Sequence, residues 1–261
     1  MGASIVPMDA RWRAIFRGET TAAWAPRLGR RAFALVPAAM RCKFCNAPFT
    51  GTIAGVFRLL GYAPSRKNPQ LCARCIESAP EGGCVSPLSV LFADVRSYTT
   101  LAERLSSVEV KDLLSRFYAT ASGALLRHEA VLAQIAGDEV MALFVPGLAG
   151  PGYRSRAIDG GRALLRAMGY GTPEGNWLEV GVGISSGEQF VGNVGGGGFK
   201  DFTSLGDVTN TAARLQAKAR GDIVVDAATY VPVAAKYANA ERAEFDLKGK
   251  REPVQTYRIG P

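Results

Sequence analysis

The chain has 261 residues, 48% of them hydrophobic, with a formal net charge of +8 and five cysteines. That length supports one full-sized core plus a smaller companion. No apolar run reaches the ~18 residues of a bilayer span, because Pro37, Arg41, Lys43 and Arg58 interrupt the best stretches. The opening MGASIV fits neither a secretory leader nor a myristoylation signal, so the expected compartment is cytoplasmic, where cysteines point to metal before disulfides.

Charge is unevenly spread. Residues 1–80 hold 12 Lys and Arg against Asp9, Glu19 and Glu77, while the rest carries 19 basic and 20 acidic side chains. A basic N-terminal segment suits peripheral contact with an acidic membrane surface. It lacks the interleaved aromatics of a nucleic-acid stacking surface, so no nucleic-acid partner is expected.

Residues 1–40 form a basic, helical segment in this reading: Trp12, Ile15, Phe16, Trp24, Leu28, Phe33 and Leu35 are spaced for two short amphipathic helices. Residues 41–84 form a Gly/Pro-punctuated block too poor in apolar residues for its own core. There Cys42-x2-Cys45 and Cys72-x2-Cys75, 26 residues apart, have the spacing of a metal knuckle. Zn²⁺ is the default occupant; an iron–sulfur cluster uses the same ligands, with Cys84 as a spare thiol. Arg66, Lys67 and Asn68 read as a solvated loop, and Ala79–Pro87 as a linker.

From residue 88 to 261, strands alternate with helices. SVLFADV is a buried strand, and Thr99–His128 a long helix with Leu101, Leu105, Val108, Leu113, Leu114, Phe117 and Leu125 on its apolar face. VLAQIAGDEVMALFV is a hairpin turning at Gly137-Asp138, and Tyr153–Met168 a second helix. LEVGVGISSGEQFVGNVG reads as a pair of strands, Val208–Ala219 as a helix, DIVVD as a strand and Ala227–Tyr237 as a helix. EFDLKG pairs with VQTYRIG. The sum is an α+β fold with helices over a mixed sheet.

Two carboxylates stand at strand ends. Asp94 precedes Val95-Arg96-Ser97-Tyr98-Thr99 at a helix start, where backbone amides suit phosphate beside a metal, although a simple helix cap needs the same residue. Asp138 lies in a hairpin turn, a place that ordinary turn aspartates also favour. Together the two suit a two-metal phosphoryl-transfer site. Asn210 and Arg214, four apart, share one helix face, fit either to orient a sugar and stabilise phosphate charge or to be solvated. His128 has no partner motif and suits a surface or capping role.

The stretches FADVRSYT, QIAGDEVMALF, VGVGISSGEQFVGNVG, FTSLGDVTNTAARL and FDLKGKREPVQTYRI, in this order from about Val90 to Ile259, resemble the class III adenylyl and guanylyl cyclases. The resemblance implies a ferredoxin-like, palm-type domain. It implies that Asp94, Asp138 and the Val95 carbonyl hold two Mg²⁺ or Mn²⁺, with Arg96, Ser97, Tyr98 and Thr99 near the phosphates. It assigns Asn210 to the ribose, Arg214 to the transition state and Lys248 to the triphosphate, leaving Lys250 and Arg251 as solvated neighbours. Base selection falls to Gln134, where adenylyl cyclases usually carry Lys and guanylyl cyclases Glu, and to Thr203. The reaction implied is ATP to 3′,5′-cyclic AMP and pyrophosphate in an obligate homodimer with shared sites. Guanylate or mixed specificity and a catalytically weak regulatory module are the alternatives. The Gly-Asp turn also resembles that of diguanylate cyclases, which lack the Asn210–Arg214 helix.

Overall fold

The computed structural model describes residues 8–17, 32–65, 69–77, 79, 81–196 and 199–261. Trp24, Leu28, Arg66, Lys67 and Asn68 therefore lie outside the described residues. Helix α1 (Met8–Phe16) leads into a block with two short helices, α2 (Ala54–Leu59) and α3 (Ala73–Glu77). The elements then run β1 (Gly82–Val95), α4 (Tyr98–Ala102), α5 (Ser107–Arg127), β2 (Val131–Ala136), β3 (Glu139–Phe144), α6 (Pro146–Ala149) and α7 (Tyr153–Ala167). They continue with β4 (Val180–Gly196), β5 (Phe199–Leu205), α8 (Asp207–Gln216), β6 (Ile223–Asp226), α9 (Ala227–Tyr230), a 3-10 turn Val231–Lys236, β7 (Glu241–Phe245) and β8 (Val254–Ile259).

The strands form one eight-stranded sheet ordered β2-β3-β1-β4-β6-β8-β7, with β5 paired to β4. Only β4 and β6 run parallel, so the sheet is mixed. The alternation of β1 shows how the two faces are filled. Leu91, Ala93 and Val95 join a core under α5 and α7, whereas Leu88, Val90 and Phe92 join a second core shared with α1, the cysteines and α8. Covered on both faces, the strand reads as a nearly continuous apolar run.

Several local expectations are corrected. The linker Ala79–Pro87 is largely strand, because β1 starts at Gly82 and pairs with β4 from Gly82↔Asn193 onward. Pro87 is tolerated there because β1 meets its second neighbour, β3, only from Ser89. LEVGVGISSGEQFVGNVG is a single 17-residue strand rather than two. The helix expected over Thr99–His128 is broken in two by a capping box: Ser106 Oγ accepts from Glu109 N–H at 3.3 Å, and Glu109 Oε2 accepts from Ser106 N–H at 2.8 Å. Val108 then falls in the first turn of α5 and is 66% exposed.

Helix α5 ends in a Schellman turn. His128 is its C-cap, Ala130 N–H donates to Leu125 C=O at 3.2 Å, and Glu129 N–H donates to Leu126 C=O at 3.1 Å. The left-handed residue is Glu129, at φ 69°, where glycine would avoid a strain of roughly 1 kcal/mol.

Helix α1 is held by its apolar face. Trp12, Ile15 and Phe16 are each no more than 2% exposed, and Trp12 and Phe16 pack on Phe202 of β5. Each such side chain contributes roughly 1.5–3 kcal/mol by leaving water. This apolar face is therefore occupied inside the protein rather than offered to a lipid surface. Among the described residues, no helix is long and apolar enough to cross a membrane.

Candidate functional site

The carboxylate pair comes together as the strand order requires. Asp94 pairs with Glu139 across β1 and β3, and Val95 N–H donates to Asp138 C=O at 3.1 Å, tying the end of β1 to the Gly-Asp turn. Gly137 takes φ 58°, the left-handed conformation this turn needs. Tyr118 of α5 donates its hydroxyl hydrogen bond to Gly137 C=O and holds the turn from outside. Asp94 and Asp138 are half-buried.

Burial pushes the Asp94 carboxyl up to about 6; the Arg96 guanidinium opposes this, the Asp138 charge adds to it, and a hydrogen bond from the Gln216 side chain opposes it. Glu139 is raised by burial first, then by Asp94 and Asp138. Three acidic groups thus crowd one strand end, and oxygen ligands of this kind suit a hard divalent cation such as Mg²⁺ or Mn²⁺.

Arg96 sits on the carboxylate itself. Its Nη2 donates to Asp94 Oδ1 at 2.7 Å, and its guanidinium lies over Gly181, where a Cβ would meet it at 3.0 Å. Its Nε is buried with no hydrogen-bond acceptor among the described residues. Ser97 takes a left-handed φ of 53° and makes no side-chain cap bond, and α4 after it is only five residues long. Ser97 and Thr99 are exposed and Tyr98 half-buried.

The second group lies on the other side of α8. Val208, Ala212, Leu215 and Gln216 are buried, and the helix lies so close to β4 that a Cβ on Gly183 would meet Gln216 N at 2.1 Å. Asn210 is exposed and Arg214 half-buried, and a Cβ on Gly249 would lie 3.4 Å from the Arg214 guanidinium. The backbone that follows Lys248, which is exposed, is thereby brought next to Arg214. The loop is fastened by an ion pair of Lys250 Nζ with Asp207 Oδ2 at 2.5 Å, so Lys250 is a tie and not merely a solvated neighbour.

Among the described residues, no hydrogen bond or ion pair links Asp94 or Asp138 to Asn210, Arg214 or Lys248. Within the described residues of this chain, the two groups are not bonded to one another. Gln134 on β2 is exposed, Thr203 on β5 half-buried, and the two strands approach one another.

The cysteines form a separate site. All four Sγ atoms of Cys42, Cys45, Cys72 and Cys75 lie within 4.8 Å of one another, and all four residues are buried. Backbone N–H groups of Cys72 and Cys75 donate to Cys42 Sγ at 3.3 Å and Cys72 Sγ at 3.4 Å. Hydrogen bonds from Cys45, Cys72 and Cys75 hold the Cys42 thiol far below its ordinary range, and the same contacts push Cys72 and Cys75 up. The four sulfurs cannot all ionise together without a cation, and a closed sulfur tetrad suits a thiophilic one. Cys84 lies apart, buried in β1 opposite Val191.

Tyr118, Glu139, Gln216 and Glu179, whose backbone C=O accepts from Arg96 N–H at 2.8 Å, were not singled out by the sequence. Glu139 follows Asp138 directly and carried a signal in that adjacency; the other three reach the site only through the fold.

Residues 83–260 match the family Adenylate and Guanylate cyclase catalytic domain. An uncharacterized protein of Mycobacterium tuberculosis is 30% identical over 164 residues, 61% of this chain and 28% of its own length. Adenylate cyclase 1 of Rhizobium meliloti is 27% identical over 174 residues, 62% of this chain and 25% of its own. The chain thus spans roughly a quarter of the length of these relatives. The crystal structure of the adenylyl cyclase CyaB from P. aeruginosa superposes with a TM-score of 0.59 at 27% identity, covering 68% of this chain and 95% of that one. The guanylyl cyclase Cya2 shares the fold at a TM-score of 0.61 and 24% identity, covering 68% and 93%. With a mixed sheet of this topology, carboxylates at adjoining strand ends and a family match over 83–260, the chain belongs to the adenylate and guanylate cyclase catalytic domain family.

Proposed function

We propose that the protein is an adenylate cyclase that converts ATP to 3′,5′-cyclic AMP and pyrophosphate in a homodimer, with Asp94, Asp138 and the Val95 carbonyl holding two Mg²⁺ or Mn²⁺. The observation that carries this reading is the junction of Asp94 and Asp138 through the Val95–Asp138 backbone bond, with Glu139 adding a third acid. What the ions supply when bound is Lewis acidity for the ribose 3′-hydroxyl and charge for the phosphates.

The chain's own residues do the rest. Asn210 orients the ribose, Arg214 stabilises charge developing on the phosphate oxygens, and Lys248 beside it binds the triphosphate. Amides and hydroxyls of Ser97, Tyr98 and Thr99 receive phosphate oxygens. Arg96 is a counter-charge to Asp94 that must turn away for a cation to bind, and is then free to meet phosphate. The separation of the two half-sites within one chain supports a dimer in which each site takes one half from each copy.

Gln134 and Thr203 read the base. ATP is preferred in this reading because neither position carries the glutamate or cysteine that guanine readers usually have. The Gln134 amide both donates and accepts, which favours mixed specificity as the second reading. The four cysteines hold Zn²⁺ or an iron–sulfur cluster, and residues 41–84 regulate or brace the catalytic domain at 88–261.

The test is direct: purified protein with Mg²⁺ or Mn²⁺ is given ATP or GTP and the products are chromatographed, for wild type and Asp138→Ala. Cyclic AMP from wild type and none from the variant is expected. Wild type that forms no cyclic nucleotide under any of these conditions overturns the reading.

A further inference from the structure

We propose that the cysteine tetrad holds one tetrahedral divalent ion, and that the loaded tetrad clamps the start of β2 and so positions Gln134. The clamp stands on geometry; only its effect on the purine rests on the cyclase reading.

A single ion fits the spacing. Bonds of ~2.3 Å from one zinc place tetrahedral sulfurs roughly 3.8 Å apart. Cys45 Sγ and Cys72 Sγ are 3.7 Å apart and no pair exceeds 4.8 Å. A polynuclear cluster puts irons and bridging sulfides between its ligands and spreads them wider. Cys84, the spare thiol for such a cluster, is held in β1.

Each cysteine pair then sends one tie to the same turn. Lys43 follows Cys42 and forms an ion pair with Glu129. Gln70, two residues before Cys72, donates from Nε2 to Leu126 C=O at 2.7 Å. Lys43 N–H donates to Gln70 C=O at 3.0 Å, so the ties are joined to one another as well as to the tetrad. Leu126 and Glu129 are joined by one of the two hydrogen bonds of the Schellman turn that closes α5. Glu129 occupies its left-handed position, where glycine would be easier, and what it offers there is the carboxylate that Lys43 meets.

Strand β2 starts two residues later. Val131 and Ala133 pack in the same core as the four cysteines, and the β2–β3 register slips between Leu132 and Gln134, leaving Ala133 as a bulge directly before the base-reading residue. An apolar cavity lined by Trp12, Phe44, Ile76, Val131, Ala133 and Phe202 lies at this junction. Packing alone leaves slack there, and the two polar ties take it up. Losing the ion frees Lys43 and Gln70 together, and with them the turn, the bulge and the aim of Gln134.

The experiment uses the full chain and three readouts: metal and acid-labile sulfide content, amide exchange over residues 126–136, and the ratio of kcat/KM for ATP to that for GTP. One zinc per chain without sulfide is expected. Removing it with a chelator should speed exchange in 126–136 about tenfold, as for a segment that opens locally, and move the purine ratio. Because emptying the tetrad also removes its own cross-links, Lys43→Ala/Gln70→Ala decides: it should keep its ion and still show the faster exchange and the altered ratio. Sulfide in proportion to iron overturns the single ion, and wild-type exchange in the double variant overturns the clamp. Should wild type make no cyclic nucleotide, the cyclase reading falls, while metal content and exchange still decide the clamp.

Discussion

The two metal-binding candidates of this molecule are built in opposite ways. The cysteine tetrad is buried, its four ligands already converge, and backbone N–H groups converge on its sulfurs. The carboxylate site is half-open, the repulsion among its acids is only partly offset by Arg96, and no bond joins it to the exposed Asn210 and Lys248 or the half-buried Arg214 among the described residues. A closed site stores folding energy, whereas an open one leaves room for substrate and exchange. Under the proposed function, one region would be made to stay and the other to turn over.

The sharpest way to break this contrast is to remove one ligand from each. Asp94→Asn should lower cyclic-nucleotide formation by a factor on the order of 10³ or more without lowering Tm, because the residue's charge is strained where it sits. Cys72→Ser should lower Tm by roughly 10 °C or more, read by thermal unfolding with metal content measured alongside. A stable Cys72→Ser protein would remove the distinction.

Next in size is complementation between copies. Asp138→Ala and Arg214→Ala should each be inactive alone, and mixing them should restore roughly a quarter of wild-type turnover, since half of randomly paired dimers keep one intact site of two. No recovery under conditions of subunit exchange sinks the shared site.

The pH response separates the regions further. Asp94, raised to about 6 from an ordinary 3.8, is protonated in folded and unfolded chains alike below pH 4; between pH 4 and 6 the unfolded chain ionises while the folded protein keeps the proton, so stability falls across that window and levels off above it. Metal-free protein should therefore lose Tm between pH 4 and 6 at this site, and Mg²⁺ should restore more at pH 7.5 than at pH 5. Activity should show an acid limb near pH 6 that moves lower as Mg²⁺ is raised, because the cation favours the ionised carboxylate. A limb that ignores Mg²⁺ would assign it to another group.

The smallest effect concerns backbone strain. Ser97→Gly relieves a φ of 53° and should stabilise by about 1 kcal/mol, a Tm rise of a few degrees, while Asn46→Gly at φ 63° in the cysteine block should gain less because asparagine tolerates that conformation.

Much of this was legible in the sequence where chemistry is local. The paired cysteines, the Gly137-Asp138 turn and the i,i+4 spacing of Asn210 and Arg214 are fixed by short-range geometry, and their positions follow from it. The mixed sheet was legible as well, from strands alternating with helical periods. What escaped depends on partners far along the chain. Nothing near Tyr118 announces that its hydroxyl will brace a turn 19 residues on. The linker reading of Ala79–Pro87 failed because Gly82, Gly83 and Pro87 look like punctuation, yet β4 supplies a strand partner from Gly82 onward. The Arg96 guanidinium on Asp94 was not foreseeable either, since it needs Gly181 from another strand to make room.

The length of β1 also has a consequence for the order of assembly. Its partner strand lies far downstream; Ser89 and Ser186, joined by a hydroxyl hydrogen bond, are 97 residues apart. The cysteines need only the stretch from Cys42 to Cys75. During synthesis all four cysteines have been added while the strand that will align Asp94 is still untranslated. Under the proposal of a bound ion, metal supply at that moment should change how many chains close the sheet in register, which a pulse of chelator during synthesis would test.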